Sequence, residues 1–593
     1  MENYDLLGLS GGEILHQHLI SHGVDHVFGH PRAAVLSLFG DVYKSPVISF
    51  IPSRHERGAG HMAEGYAKAT RRPGVVFVGT DPRSSNMVTP MLDGLLNRTP
   101  MVVICGQAPD TKGTDGYQEL SIIQQARACT KWRTSVQRLG QLPKAIDAAF
   151  AHAGGKQPGP TLVDILPGIG ESVFDSHALQ DSSNVSLVVQ ELNGLARGCI
   201  SPSGSADYMY EKIVRVAAVI NQSRTPVICA GNGVLATARG CKLLSKISRK
   251  AQIPVATTLL GLGSFDETRE EALHMIGIHG APYANYAIRN ADLLIVVGAT
   301  LDERAVGNSV GFAAKALDKD RGGRGIVHFD INAEKLGKVI QPTEIILGDL
   351  SETLPILISL LTPVDERDGW LDQIQMWKKE YPFQMPVARA KNRPHPEQVV
   401  AELNRQTTPM KSSTTVTTSI GQHQMWTSQH FRCTHPHSLI TSGSFTTMGF
   451  SLPAAIGAKL ALPDQQVIAM DGDASFCTTM EELITALQHQ IQIKVIVFNS
   501  RPGGALSPAE KSVYGINICC DSKSSLDFDR LARSMGCQGQ RCERVEDLPH
   551  AIYWLLRCRG PALLDVATSE PEVVPIASSG TPQGTDVGIA YCA

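Results

Sequence analysis

An aspartate followed by small residues, with a second oxygen donor close by, is enough to hold a hard cation against phosphates. Mg²⁺ favours oxygen ligands and accepts phosphate oxygens beside them. The stretch 467–502 offers this set. Gly472-Asp473-Ala474-Ser475 closes one apolar run, 467–470, and Asn499-Ser500 closes another, 493–498, with Pro502 just beyond. Glu56, in SRHERGAGHMAEGYA, is a second candidate. A carboxyl in an apolar setting can exchange a proton with a heterocyclic nitrogen, although a carboxylate at a helix start is also simply favoured by the macrodipole. Gly421-Gln422-His423-Gln424 follows the run VTTSI. Backbone amides and neutral donors there suit a phosphate. Met448 stands among small residues in SGSFTTMGFSLPAAIGA, a composition that permits close approach of a ligand or partner.

These residues need strands and helices to carry them. The β-branched runs at 467–470 and 493–498 read as neighbouring buried strands. TTMEELITALQHQ between them has apolar residues at helical spacing and carboxylates near its start, so it reads as the crossover helix of a βαβ unit. Glycine and acid then fall at the carboxyl ends of strands, the ligand-binding edge of an open α/β sheet. Upstream, GGEILHQHLISHGV, VDHVFG, GAGHMAEGYAKAT, GVVFVGT and PMVVICG alternate helical and strand character. PVICAG, ADLLIVVGA and IVHFDI repeat the pattern further on. Such alternation predicts parallel sheets covered on both faces. The expected fold class is therefore α/β, with three doubly wound parallel-sheet domains at 10–170, 207–363 and 397–569. Ser-, Asn- and Pro-containing intervals at 171–206 and 364–396 read as linkers, and 570–593 as a Gly/Pro/Ser tail.

With 593 residues the chain exceeds a single core. It is 42% hydrophobic and 19% charged with a net charge of -3, a balance that gives no electrostatic case for nucleic acid or a membrane surface. No apolar run reaches the ~18–20 residues that span a bilayer. The start MENYDLLGLSGGEIL lacks a signal or transit pattern, so the expected location is the cytosol. Thirteen scattered Cys, without a C-x-x-C, read as reduced and mostly buried thiols.

HERGAGHMAEGYAKAT, GTDGYQE, MIGIHGAPYANYA, GQHQMWTSQH, TTMGFSLPAAIGA and GDASF, in this order, resemble the acetolactate synthase (acetohydroxyacid synthase) family of its fungal type. The resemblance covers nearly the whole chain after Gly11. It implies thiamine diphosphate (ThDP) with Mg²⁺, and allows for FAD. It also implies pyrimidine-binding, FAD-binding and diphosphate-binding domains in that order, and a homodimer or homotetramer with its active sites between subunits. Position by position, Glu56 matches the Glu that activates the cofactor's aminopyrimidine, so that the cofactor serves as electron sink for a decarboxylated 2-oxo acid. Gln118 matches a Gln near the reacting carbon. Gln422, His423 and Gln424 match the diphosphate loop, with Gly421, Gly472, Ala474 and Ser475 beside it. Met448 matches the residue that bends the cofactor, Asp473 the Mg²⁺ ligand, and Arg304 an Arg at the substrate channel mouth. Gly231, Gly233 and His279 resemble FAD contacts.

The chain departs from the family at several of these places. The second metal-binding Asn is Ser500, with Pro502 able to add a carbonyl. Two Gly-rich turns carry Arg32 and Arg83, a channel Trp is Ala509, and an Arg beside FAD is Thr300. Because the departures sit on substrate-facing loops, the sequence alone points to a ThDP-dependent carboligase or lyase with an altered 2-oxo acid or carbonyl substrate. Arg32 or Arg83 would pair with an acidic group on a larger small-molecule acceptor. Two other readings stand beside this one: a fold that has lost ThDP catalysis, and a true acetolactate synthase.

Overall fold

Apolar strands that alternate with amphipathic helices bury both faces of a sheet only if the strands run parallel, and the chain does this three times. The computed structural model describes residues 3–30, 35–79, 82–107, 122–179, 190–191, 206–307, 309–364, 367, 369–383, 392–500 and 526–569. Arg32, Gln118, Pro502 and Ala509, the side chain of Arg83, most of 171–206 and the tail 570–593 lie outside them.

The first sheet holds β1 (His26–Gly29), β2 (Ser49–Pro52), β3 (Gly74–Gly79), β4 (Met101–Gly106), β5 (Trp132–Val136), β6 (Pro160–Ile165) and β7 (Gln190–Glu191). Its order is β2-β1-β3-β4-β6-β5-β7, parallel except for the two-residue β7. The second holds β8 (Pro226–Ala230), β9 (Val255–Thr257), β10 (Ala272–Met275), β11 (Leu293–Val297), β12 (Ile326–Asp330) and β13 (Glu344–Leu347), in the order β10-β9-β8-β11-β12-β13. Counted within the domain this is 3-2-1-4-5-6, the arrangement of dinucleotide-binding sheets. The third holds β14 (Thr414–Thr418), β15 (Leu439–Thr441), β16 (Gln466–Gly472), β17 (Ile493–Ser500), β18 (Gln538–Cys542) and β19 (Ala562–Thr568), in the order β15-β14-β16-β17-β19-β18. The first and third sheets therefore share the order 2-1-3-4-6-5 over six strands. β16 and β17 pair in parallel from Val467↔Ile493 to Gly472↔Phe498, as their β-branched runs predict.

Among the described residues, buried apolar side chains form five clusters rather than the six that three two-faced sheets would give. One cluster joins Phe28, Met62 and Val103 of the first domain to Phe450, Ile456 and Val495 of the third. Those two domains face each other, with the helices Glu56–Thr70 and Ser451–Ala461 between their sheets. Each helix follows the second strand of its own sheet and leads into the third. The helices touch through glycine. A Cβ on Gly65 would strike the Ala454 carbonyl oxygen, and one on Gly457 would strike the Met62 carbonyl oxygen.

Two local readings change. The crossover helix is only Glu482–Gln488, because Thr478 and Thr479 spend their hydroxyls elsewhere. Thr478 Oγ1 donates to Ser475 O at 2.7 Å and Thr479 Oγ1 to Gly449 O at 2.9 Å, and such side-chain bonds compete with helical ones. The interval 364–396 contains a helix, Trp370–Glu380, seated on the central domain by buried Trp370 and Ile374 and by Trp370 Nε1–H donating to Pro226 O at 3.1 Å.

Candidate active site

β14 has β15 on one side and β16 on the other, so the loops that leave β14 and β16 diverge. They open a crevice at the carboxyl edge, where doubly wound sheets take ligands. Gly421-Gln422-His423 leaves β14, and Gly472-Asp473-Ala474-Ser475 leaves β16. Gly421 has φ 141°, and a Cβ there would come within 2.7 Å of the His423 ring. A Cβ on Gly472 would lie 3.1 Å from His423 Nδ1. The imidazole thus lies between two glycines. It is 4% exposed, and its Nε2 stands 3.2 Å from Asp471 Oδ1 without making a hydrogen bond. The ring edge that faces these glycines carries Nδ1 and Cε1, and a ring nitrogen at a glycine-lined crevice is a fitting donor for a diphosphate oxygen.

Asp473 opens a short helix, Asp473–Phe476. Its Oδ1 accepts the Ala474 N–H at 2.8 Å, and its Oδ2 faces the Ser500 N–H and Oγ–H at 3.3 Å each. Burial raises its carboxyl above the ordinary pKa, against the lowering effect of those hydrogen bonds. A half-buried carboxylate is stabilised by a cation at the same point, and the Ser500 hydroxyl on the neighbouring strand stands ready as a second oxygen donor. These residues fit a divalent ion beside a diphosphate.

Other candidates serve the same crevice indirectly. Gln422 is exposed. Gln424 is not available to a ligand: it is 1% exposed, and its Nε2–H₂ donates to Thr441 Oγ1 at 2.6 Å and Ser442 O at 2.8 Å. Ala474 is exposed, whereas Ser475 is buried. The Ser475 hydroxyl accepts the Gly449 N–H at 2.8 Å and so holds the turn that presents Met448. Met448 is 44% exposed in a turn flanked by buried residues. An apolar side chain raised in this way at a ligand edge gains by being covered.

Glu56 begins the Glu56–Thr70 helix in the other domain, capped by His55 Nδ1, which accepts the Arg57 N–H at 3.1 Å. The carboxylate is 6% exposed and accepts from Asn86 Nδ2–H at 3.1 Å. Two further residues escaped the sequence reading. Glu482, read only as a helix-start carboxylate, accepts the backbone N–H groups of Arg54 and His55. Asp93 Oδ1 accepts the Ser442 hydroxyl at 2.8 Å, and Ser442 Oγ in turn accepts the Thr447 N–H at 2.9 Å, next to Met448. Nothing in the local sequence around Asp93 marks it.

The remaining candidates line a cavity of roughly 530 Å³ between all three domains, including Gly233, His279, Thr300 and Arg304. It lies at the reversal of the second sheet, between β8 and β11. Gly231 stands behind its wall, because a Cβ on Gly231 would strike Ala299, while one on Gly233 would come 2.7 Å from Gly298 Cα. Arg304 Nη1–H donates to Gly443 O at 3.3 Å, which fastens the central domain to the third. Arg98 and Lys335 face the same cavity. Burial first, and then Arg98, hold the Lys335 ammonium below its ordinary pKa.

Three family descriptions match the chain: the N-terminal TPP binding domain of thiamine pyrophosphate enzymes over 9–126, the central domain over 213–357, and the C-terminal TPP binding domain over 419–566. Full-length similarity is more specific. The mitochondrial acetolactate synthase catalytic subunit of Aspergillus candidus is 41% identical over 97% of this chain and 83% of its own length. The mitochondrial acetolactate synthase of Schizosaccharomyces pombe is 40% identical over 96% and 84%. The acetolactate synthase isozyme 1 large subunit of Escherichia coli is 31% identical over 98% of both chains. This chain belongs to the acetolactate synthase family. It is a ThDP-dependent, acetolactate-synthase-like enzyme of the fungal type. Among the described residues no helix is long and apolar enough to cross a membrane. The cytosolic expectation does not stand, because the fungal acetolactate synthases to which the chain is similar, that of Saccharomyces cerevisiae included, are mitochondrial.

Proposed function

We propose that the protein is a catalytic acetolactate synthase of mitochondria: it decarboxylates one 2-oxo acid, pyruvate, and joins the remaining two-carbon unit to the carbonyl of a second, releasing CO₂. The observation that carries this reading is that Asp473, His423 and buried Glu56 are kept in a chain 38–41% identical to fungal acetolactate synthases along its length. An altered substrate finds no support among those relatives, and Arg32, Arg83 and Ala509, on which it rested, lie outside the described residues. The true synthase is the better reading.

ThDP, once bound, supplies the electron sink for the carboxyl carbon's departure. Asp473 and Ser500 would hold Mg²⁺ on the diphosphate, the His423 ring and the backbone around Gly421 would meet the diphosphate oxygens, and Met448 would press against the cofactor's apolar surface. Glu56 would exchange a proton with the aminopyrimidine, its orientation fixed by Asn86. FAD is the group we assign to the central cavity, supported by the sheet order, the glycine turn at Gly233 and the cations Arg98 and Lys335. Glu56 and the metal edge belong to separate domains, which agrees with a homodimer or homotetramer whose sites form between chains.

The test is a colorimetric acetolactate assay on pyruvate with ThDP, Mg²⁺ and FAD, paired with mass spectrometry of cofactors released from the purified protein. Turnover that depends on ThDP is the expected result. Tight ThDP binding with no product from pyruvate would return the altered-substrate reading to first place, and no ThDP binding would end both.

A further inference from the structure

Catalysis by Glu56 needs its carboxylate held in place, and the His55 cap and the Asn86 bond hold the helix end and the carboxylate but not the backbone that leads into them. The residues before Glu56, Arg54 and His55, leave β2 with backbone N–H groups that point away from their own domain. Both reach Glu482 of the third domain. Arg54 N–H donates to Glu482 Oε1 at 3.0 Å and Oε2 at 3.2 Å, and His55 N–H donates to Oε1 at 3.2 Å. Thr485 Oγ1–H completes the set on Oε2 at 2.7 Å. The residue after Glu56 is tied to the same domain, since the Arg57 guanidinium donates to Thr478 O. Glu482 itself is 0% exposed. Room for it exists because residue 58 is glycine: a Cβ there would collide with the Glu482 carboxylate.

We propose that Glu482 is a positioning residue for the reaction, whose carboxylate clamps the backbone immediately before Glu56 and thereby aims the Glu56 carboxylate. The proposal rests on the role given above to Glu56. Several features set Glu482 apart from a general packing residue. Its acceptor oxygens go to two consecutive backbone donors next to the catalytic position, and charge-assisted bonds of this type are stronger than neutral ones. It stands nine residues after Asp473, on the segment that the Asp473 turn leads into. The clamp therefore ties the aim of Glu56 to the third domain of its own chain.

The test uses the full-length protein and Glu482→Gln, Glu482→Ala, Gly58→Ala and the Glu482→Ala/Gly58→Ala double variant. Three measurements are made: steady-state kinetics on pyruvate, deuterium uptake by the peptide containing Arg54 and His55, and thermal midpoint. Glu482→Ala is expected to lower kcat at least tenfold with KM within twofold. It should also speed amide exchange at Arg54 and His55 more than elsewhere. Glu482→Gln, which keeps one acceptor oxygen, should recover part of both effects. Gly58→Ala should reproduce the loss by pushing the carboxylate aside, yet add nothing in the double variant, because contacting positions are not additive. Unchanged local exchange in a folded Glu482→Ala protein would overturn the clamp, as would equal and additive losses for Gly58→Ala in both backgrounds. The exchange measurement needs no substrate, so an enzyme inactive on pyruvate would count against the proposed reaction and leave the clamp to be judged on its own.

Discussion

At the scale of single residues, the site works through groups kept in states they would not hold in water. Asp473 is the first case. Its half-buried carboxylate has the Ala474 N–H and two 3.3 Å contacts to Ser500 for compensation. Asp473→Ala is expected to weaken Mg²⁺-dependent ThDP binding at least a hundredfold by calorimetry, leaving the thermal midpoint of the cofactor-free protein unchanged or slightly higher. The second case lies behind Met448. His61, Glu64 and Asp93 are fully buried, with His61 Nδ1 2.6 Å from Glu64 Oε2. Burial pushes the Glu64 and Asp93 carboxyls up to about 7; the Glu64 charge adds to the rise at Asp93, whereas Lys68 works against both and the hydrogen bond with Asp93 works against the rise at Glu64. Burial holds the His61 imidazole down to about 4. A raised carboxyl keeps its proton in the folded state after the unfolded chain has lost it. Stability from Glu64 and Asp93 therefore falls as pH rises from about 4 and is lost above about 7, while His61 works in the opposite sense up to about 6.5. Asp93→Asn keeps an acceptor for Ser442 and gives Glu64 a donor. It should therefore raise stability relative to the parent by about 2 kcal/mol more at pH 8 than at pH 5, read as the difference in denaturation midpoints. The sequence made Asp473, His423 and Glu56 legible because each sits at a strand or helix end beside small residues. It did not show Asp93 or Glu482, whose partners lie hundreds of positions away, nor that Gln424 turns inward.

At the scale of elements, the helices Glu56–Thr70 and Ser451–Ala461 carry the arrangement. One begins with Glu56 and the other follows the Met448 turn, so the distance between them fixes how the two catalytic regions of a chain relate. Backbone meets backbone at Gly65 and Gly457. Neither helix can move away without losing the apolar cluster that spans both domains. Gly457→Ala should therefore cost about 1–3 kcal/mol, seen as a lower thermal midpoint, and should lower kcat together with ThDP affinity. Strand runs and their parallel pairing were plain in the sequence, because β-branched stretches bounded by glycine leave few alternatives. Helix extents were less so. Thr478 and Thr479 fit a helical period yet bond to the Met448 and Ser475 turns, and Trp370, Ile374 and Trp377 carry a helical repeat inside a segment whose prolines and charges masked it.

At the scale of the molecule, three sheets meet around one cavity, with Lys68 and Arg98 from the first domain, Gly233 and Thr300 from the second, and His437 and Ser444 from the third on its wall. A ligand there ties the central domain to the two outer ones, whose own cores already merge in one apolar cluster. Addition of FAD to cofactor-free protein should raise the thermal midpoint and sharpen the transition, with a gain of about 2.7 kcal/mol at a hundred times its Kd. ThDP with Mg²⁺ should add a further rise that Asp473→Ala abolishes. Sequence motifs announced three domains, but not that the outer two face each other across equivalent helices, because that relation depends on contacts between residues about 390 positions apart. The shared strand order 2-1-3-4-6-5 has an evolutionary consequence. If the outer domains descend from one duplicated unit, the pairing of Glu56–Thr70 with Ser451–Ala461 is the unit's original self-association, now internal to one chain. Mutation on one helix then changes the fitness of mutation on the other. Side-chain volume at positions 65 and 457 and at their contacts Met62 and Ala454 should trade across the pair among related sequences, small rising only where its opposite shrinks, while the Glu and the Asp, now on different copies, are free to drift apart in everything except their distance.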